Sequence, residues 1–233
     1  STQAKTLFPY TTLFRSTMKA LAMDTSHLVR LLSQDGAVRA RLTVVLAGGF
    51  CAGIAIAALM FLVAIGPRPD ILAAARTPRF LFKFIVTGAL AVSAGLLVFR
   101  LSRPDTPPGA ASWALLAAPL LLVGAGLAEL VAMPPASWPT LMIGENAAVC
   151  LTVVPLLSIG PLACLLLAMR DGAPANPGAA GAVAGLAASG VAASFYAANC
   201  TDDSPLFVLA WYPLAVAVVA AAGFFIGRRA LRW

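Results

Sequence analysis

Two cysteines lie at the ends of neighbouring apolar segments of the chain. Cys150 lies near the start of the segment 147–169, and Cys200 follows the segment 179–198. If consecutive segments form neighbouring helices, the two thiols reach the same face of a bundle. Two such thiols can form a disulfide in an oxidising compartment, and two thiolates can bind a soft metal ion. Spacing alone does not distinguish such a pair from two cysteines that have no joint role.

Other residues that could support chemistry near this pair are few. Glu145, Asp202 and Asp203 are close to the two cysteines in sequence and are candidates for additional metal ligands. Cys51 and Cys164 lie well inside apolar segments, where a free cysteine most simply acts as a small buried hydrophobic residue.

One carboxylate, Glu129, lies inside an apolar segment of the chain, 113–133. An ionisable group within a membrane span is a candidate functional site, and we therefore treat Glu129 as a possible intramembrane polar site. The alternative is that Glu129 lies about one turn from the membrane boundary and reaches water or an arginine.

Enzyme signatures are absent from the sequence. It contains one histidine, His27, and no HExxH, Walker, GxSxG or CxxC motif. We therefore expect a protein that is not an enzyme and requires no cofactor, with a soft metal ion at most as a signal.

The elements that must position these residues are apolar helices. Of the 233 residues, 61% are hydrophobic and only 11% are charged, whereas soluble domains are about 25% charged. Runs of about 20 apolar residues are long enough to cross a bilayer as helices. The sequence predicts an all-α polytopic membrane protein, a bundle of six transmembrane helices. The predicted spans are 42–66, 80–99, 113–133, 147–169, 179–198 and 206–226.

Positive charges indicate the orientation of the bundle. Ten Lys and Arg residues fall on the side of the chain termini, and four fall on the other side. The positive-inside rule then places both termini in the cytoplasm and both cysteines at the outer face. The net charge of +7 suits lipid headgroups better than nucleic acid, so we expect no direct contact with nucleic acid. The four outer cations are Arg68, Arg76, Arg79 and Lys83, and we expect the side chains of Arg76, Arg79 and Lys83 to lie at the lipid headgroups.

The first residues differ in composition from the rest of the chain. The stretch 1–17 contains no acidic residue, and its string LFPYTTLFRS resembles the translation of a sequencing-library adapter. We therefore expect residues 1–17 to be a non-native extension and the natural start to be Met18 or Met23.

The segment 18–41 is expected to be a cytoplasmic tail ahead of the transmembrane domain 42–233. Leu28, Leu31 and Leu32 follow i, i+3, i+4 spacing, which predicts a short amphipathic helix. Such an apolar stripe can dock into a groove of a partner protein, or it can lie on the inner leaflet of the membrane.

Three stretches of the chain resemble the NrsF family of bacterial membrane anti-sigma factors, also catalogued as a domain of unknown function. The resemblance covers Met23 to Trp233 and includes the closing GRRALRW. The three stretches are RPDILAAARTPRFLFKF, CLTVVPLLSIGPLACLLLAMR and AGLAASGVAASFYAANCTDDSPLFVLAWYPLAVAV.

The resemblance implies a function that the spacing alone does not. Members of the family are six-span inner-membrane proteins that hold an extracytoplasmic-function sigma factor inactive from their cytoplasmic side. Their outer cysteines are implicated in sensing oxidative or heavy-metal stress, and Cys150 and Cys200 match this pair. The segment 23–41 occupies the place of the sigma-binding segment, although it matches loosely.

The resemblance thus predicts a membrane anti-sigma factor that releases its sigma factor under stress. Two alternatives remain open at this point. A small transporter or permease would need polar groups near the membrane midplane, which this sequence nearly lacks. A membrane thiol oxidoreductase would need a reactive, low-pKa cysteine pair and a partner site.

Overall fold

The computed structural model describes residues 25–103 and 109–232. The chain divides into two units, Ser1–Arg41 and Leu42–Trp233. The expected extension 1–17 and both candidate start sites, Met18 and Met23, lie outside the described residues. The side chains of the tail leucines, whose positions fall in the helix that begins at Thr25, are likewise outside the described part.

Every regular element of the described residues is a helix, and a single 3₁₀ turn, Pro135–Ser137, accompanies the α-helices. In chain order the α-helices are α1 Thr25–Ala64, α2 Ile71–Ala74, α3 Pro78–Leu101, α4 Gly109–Ala114, α5 Ala117–Ala132, α6 Trp138–Ile143, α7 Ala147–Met169, α8 Pro177–Ala197 and α9 Pro205–Ala230.

Six helical segments are long and apolar enough to cross a membrane, so the expected all-α fold with six spans is confirmed. Each segment overlaps one predicted span, and α7 has the predicted bounds at both ends. The placement of the termini in the cytoplasm stays a prediction. The six segments are Arg41–Ala64, Pro78–Leu101, Ser112–Ala132, Pro135–Met169, Pro177–Ala197 and Pro205–Ala230.

The third span is interrupted where the sequence predicts one continuous helix. Its helical residues divide into α4 and α5, which are separated at Leu115 and Leu116. Pro119 follows within the first turn of α5. A proline ring clashes with the carbonyl four residues earlier, here that of Leu115, but proline fits the first turn of a new helix. The position of Pro119 therefore accounts for the break.

The fifth span, α8, is the most buried of the six. It packs against α9, α3 and α7, and it is built mainly from alanine and glycine. Lipid tails are as apolar as the helix surface, so helices in a membrane associate by close contact between small residues. The composition that makes α8 a weak hydropathy signal is therefore the composition that lets it occupy the middle of the bundle.

Paired glycines set the approach of α8 to α9. Gly181 and Gly185 of α8 face Gly223 and Gly227 of α9, and the α-carbon or carbonyl oxygen of one helix occupies the space of a Cβ on the other. A Cβ on Gly185, for example, would lie 2.7 Å from the carbonyl oxygen of Val219. Both GxxxG pairs thus form a single glycine-to-glycine interface.

A third GxxxG pair joins the first span to the fourth. A Cβ on Gly49 would lie 2.8 Å from the Cβ of Ala168, and a Cβ on Gly53 would lie 2.8 Å from the Cα of Pro161. Both partners belong to α7, so α1 and α7 touch nearly backbone to backbone. A displacement of α7 along this face must therefore move α1 or open the contact.

The glycine interface between α8 and α9 predicts a sharp difference between two equivalent substitutions. Gly181→Ala places a methyl group against the backbone of α9, and we expect it to lower the free energy of unfolding by about 1–3 kcal/mol. Gly88→Ala is the control, because a Cβ there meets nothing within 4 Å. Thermal unfolding of the purified protein in detergent measures both variants, and equal melting temperatures would contradict the interface.

Candidate functional site

The two cysteines predicted as a pair lie in one buried cluster. Cys150 is in the first turn of α7, and Cys200 lies three residues beyond the end of α8. Their exposed fractions are 0% and 1%, and both are free thiols. Tyr196 and Tyr212 pack in the same cluster. The structure therefore brings together the two cysteines from different helices and shields them from solvent.

Hydrogen bonds join the loop that carries Cys200 to the end of α8 and to the loop after α1. The Cys200 N–H donates to the Tyr196 carbonyl at 2.9 Å, and the Arg68 N–H donates to the Ala198 carbonyl at 3.1 Å. The Asn199 amide donates to the Gly66 carbonyl at 2.9 Å. The loop 198–204 is therefore an ordered connection that contacts the loop after α1.

Asp202 links this loop to the start of α7. One oxygen of its carboxylate accepts hydrogen bonds from the backbone N–H groups of Glu145 and Asn146, at 3.1 and 2.8 Å. The same oxygen accepts a bond from the Asn146 side-chain amide at 2.9 Å. A carboxylate beside free N–H groups at a helix N-terminus is favoured by hydrogen bonding and by the helix dipole. Asp202 thus stabilises the N-terminal end of α7, the helix that contains Cys150.

Asp203 makes a different set of contacts, with two cations. Its carboxylate lies 2.6 Å from the Lys83 ammonium and 3.0 Å from the Arg68 guanidinium. Lys83 also donates to the carbonyl oxygen of Cys200 at 2.8 Å. The two neighbouring aspartates therefore connect the Cys200 loop to different elements. Asp202 connects it to α7, and Asp203 connects it to α3 and to the loop after α1.

Arg68 extends this network to the surface of the protein. Its guanidinium donates to both oxygens of Asp70 at 2.7 Å, and a further bond reaches the Cys200 carbonyl at 3.4 Å. The Asp70 and Asp203 carboxylates raise the pKa of Arg68, and the Arg68 hydrogen bond lowers the pKa of Asp70. Both groups are therefore charged throughout the neutral range.

The chemistry of the Cys200 thiol follows from its burial. Burial raises the pKa of Cys200 above its usual range, and the Lys83 ammonium acts in the opposite direction. The thiolate is the form that attacks oxidants and binds metals. The resting Cys200 is therefore a protonated thiol at neutral pH, and its modification requires that the proton leave a buried site.

Two of the three carboxylates expected as possible metal ligands, Asp202 and Asp203, already have other partners. Asp202 accepts three N–H bonds and Asp203 pairs with two cations. Among the described residues, no group of three His, Cys, Asp or Glu side chains is close enough to hold a metal ion. A soft metal ion at this site would therefore depend mainly on Cys150 and Cys200.

Glu129, the possible intramembrane polar site, is paired with a cation. It is 7% exposed, and its carboxylate lies 2.9 Å from the guanidinium of Arg79. This contact corresponds to the alternative in which Glu129 reaches an arginine. The pair connects α5 to the start of α3, apart from the contacts that hold the cysteine loop.

Sequence reasoning missed the role of Lys83. Its position in the outer group of cations predicts a side chain at the headgroups, whereas the structure buries it completely in α3. The sequence contained one signal of this, because Lys83 is a single charge in the apolar run FLFKFIV. A lysine surrounded by such residues in a membrane span usually requires an acidic partner.

Comparison with known proteins identifies two close curated relatives and one family. The family described as "Negative regulator of sigma F" (NrsF) matches residues 32–233. A probable anti-sigma-F factor NrsF of Azospira oryzae is 34% identical over 184 residues, which is 78% of this chain and 85% of that protein. The anti-sigma-F factor NrsF of Caulobacter vibrioides is 34% identical over 168 residues, 71% of this chain and 78% of that protein. No solved structure matches the chain.

The contacts of Asp202 predict its contribution to stability. Asp202→Ala leaves three N–H groups at the start of α7 without their acceptor, and we expect the free energy of unfolding to fall by about 1–3 kcal/mol. Asp171→Ala is the control, since Asp171 is an exposed aspartate beyond the other end of α7. Circular dichroism during heating in detergent measures both, and an Asp202→Ala protein as stable as the control would contradict this role.

Proposed function

The chain belongs to the NrsF family of negative regulators of sigma F, and on that premise we propose that it sequesters an extracytoplasmic-function sigma factor and releases it under stress. The family is regulatory, so the chain is an anti-sigma factor and not an enzyme. The observation that carries the stress-sensing part is the burial of Cys150 and Cys200 in one cluster. We further propose that the protein resides in the bacterial inner membrane.

The proposed partner surface is the N-terminal segment of the chain. In this proposal both termini are cytoplasmic, and the segment 18–41 contacts the sigma factor. Leu28, Leu31 and Leu32 fall on the helix α1 at positions that share one face. A partner groove that buries such a face would gain the free energy of removing apolar surface from water.

The proposed signal is a chemical change at the cysteine pair. A peroxide can oxidise the pair: the Cys150 and Cys200 sulfurs lose two protons and two electrons and form an S–S bond. The O–O bond of the peroxide breaks, and its oxygens leave as water or alcohol. A soft metal ion can act instead by forming two bonds to sulfur while both thiol protons pass to water. Because both thiols are buried, we expect weak oxidants to leave the pair unmodified.

The bundle offers a route from the cysteines to the N-terminal helix. Cys150 lies in the first turn of α7, and the same helix touches Gly49 and Gly53 of α1. A signal can release the sigma factor only if it favours one of two states with different affinity for the partner. Sulfur–sulfur or sulfur–metal bonds made in one state can supply the several kcal/mol that such a shift needs.

A transcription reporter tests this function. In a host that lacks its own copy of the regulator, the full chain is expected to repress a promoter that depends on the cognate sigma factor. Peroxide or cadmium should relieve this repression. Cys150→Ser combined with Cys200→Ser should repress equally well but should not respond, because neither bond to sulfur can form.

The remaining cysteines provide the matched control. Cys51→Ser combined with Cys164→Ser removes the same number of thiols and should leave the response intact. Immunoblots of the membrane fraction verify that all variants are equally abundant. If the variant without Cys150 and Cys200 were induced as strongly as the unmodified chain, the sensor assignment would be wrong.

A further inference from the structure

Lys83 is a charged side chain buried in the transmembrane domain. Its exposed fraction is 0%, although it lies in the second turn of a membrane-spanning helix. Burying an ammonium group is strongly unfavourable unless partners compensate for the lost water. Ionisable residues in such positions are usually paired and usually serve a function. The contacts of Lys83 therefore indicate which part of the protein this side chain stabilises.

Within the part of the chain that the structure describes, the ammonium group of Lys83 makes its hydrogen-bonding and ionic contacts with the loop that carries Cys200. Its ammonium lies 2.6 Å from the Asp203 carboxylate and donates to the carbonyl oxygen of Cys200 at 2.8 Å. The ammonium also lies 5.3 Å from the centre of the Phe80 ring, whose other cationic neighbour is Arg68 at 5.9 Å. The Lys83 side chain thus binds the backbone of Cys200, the proposed sensor residue.

Arg68 provides a second cation on the same two acceptors. It contacts the Asp203 carboxylate at 3.0 Å and the Cys200 carbonyl at 3.4 Å. Unlike Lys83, it also has a surface partner, Asp70, whose side chain is 55% exposed. The Arg68–Asp70 pair is therefore a surface contact of small energetic value, whereas the Lys83–Asp203 pair is the buried component of the network.

We propose that Lys83 and Asp203 form a buried latch that keeps the Cys200 loop closed in the sequestering state, and that opening this latch is the step that couples the cysteines to release. This proposal rests on the proposed function. The latch explains how a modified sulfur acts on the bundle. Moving the Cys200 backbone to make a new bond to sulfur displaces the carbonyl that Lys83 binds, so closure and modification compete.

Alkylation of Cys200 measures the latch without any sigma factor. The full chain is placed in lipid nanodiscs with Cys51, Cys150 and Cys164 replaced by Ser, so that only Cys200 reacts. Asp203→Asn breaks the ion pair but leaves the Lys83 charge near the thiol. We expect it to speed maleimide labelling of Cys200, followed by mass spectrometry, by about tenfold or more, because loss of one partner strongly destabilises a buried pair.

Asp70→Asn is the matched control, since it makes the same chemical change on the exposed partner of Arg68. We expect its labelling rate to stay within about twofold of the parent chain. If Asp203→Asn melts at too low a temperature to test, Lys83→Met combined with Asp203→Asn leaves no unpaired Lys83 charge and should show the same fast labelling. Slow labelling in every folded variant would overturn the latch.

The reporter strain tests whether the latch controls release. With all native cysteines present, Asp203→Asn should raise uninduced expression to the level that cadmium produces with the unmodified chain, while Asp70→Asn should not. Fast labelling with full repression would overturn the coupling step. If the unmodified chain fails to repress the reporter, the proposed function fails, and the labelling rates still decide whether the latch exists.

Discussion

Close contact between small residues is the constraint on which the rest of this structure depends. A bilayer gives helices little hydrophobic reason to associate, so the bundle must gain its stability from direct packing and from polar contacts. The alanine- and glycine-rich helix α8 satisfies this need, because α9, α3 and α7 can all approach it. Gly181 and Gly223 leave room for the neighbouring backbone on each side of the closest interface.

The candidate functional site lies just beyond the end of α8. Cys200 and its two following aspartates emerge where the surrounding helices converge, and each aspartate has its own partners. Asp202 accepts N–H groups at the start of α7, and Asp203 accepts the cations of Arg68 and Lys83. The short loop is therefore a junction between the helix that carries the second cysteine and the helix that carries the buried lysine. In the proposed function, a chemical change at the cysteines would therefore act where α7, α8 and α3 are joined.

Hydropathy predicted the helices well because a membrane span must be apolar over a fixed length. The bounds of α7 match the prediction, and the break before α5 differs only because a proline acts locally. The glycine pairs were visible in the sequence, but their partners were not. The contact between Lys83 and Cys200 could not be predicted for the same reason, because these residues are 117 positions apart in sequence. Charge counting assigned Lys83 to the headgroups, since only its three-dimensional neighbours reveal the buried acceptors.

The central claim is that the chain binds a sigma factor and releases it when the thiols of Cys150 and Cys200 react. The most direct measurement is co-purification of the tagged full chain from bacterial membranes, with and without prior treatment of the cells with cadmium. The account predicts that one sigma factor is recovered from untreated membranes and is lost after treatment. A variant with Leu28, Leu31 and Leu32 changed to Glu should recover none. Untreated membranes that yield no sigma factor, or equal recovery after treatment, would contradict the account.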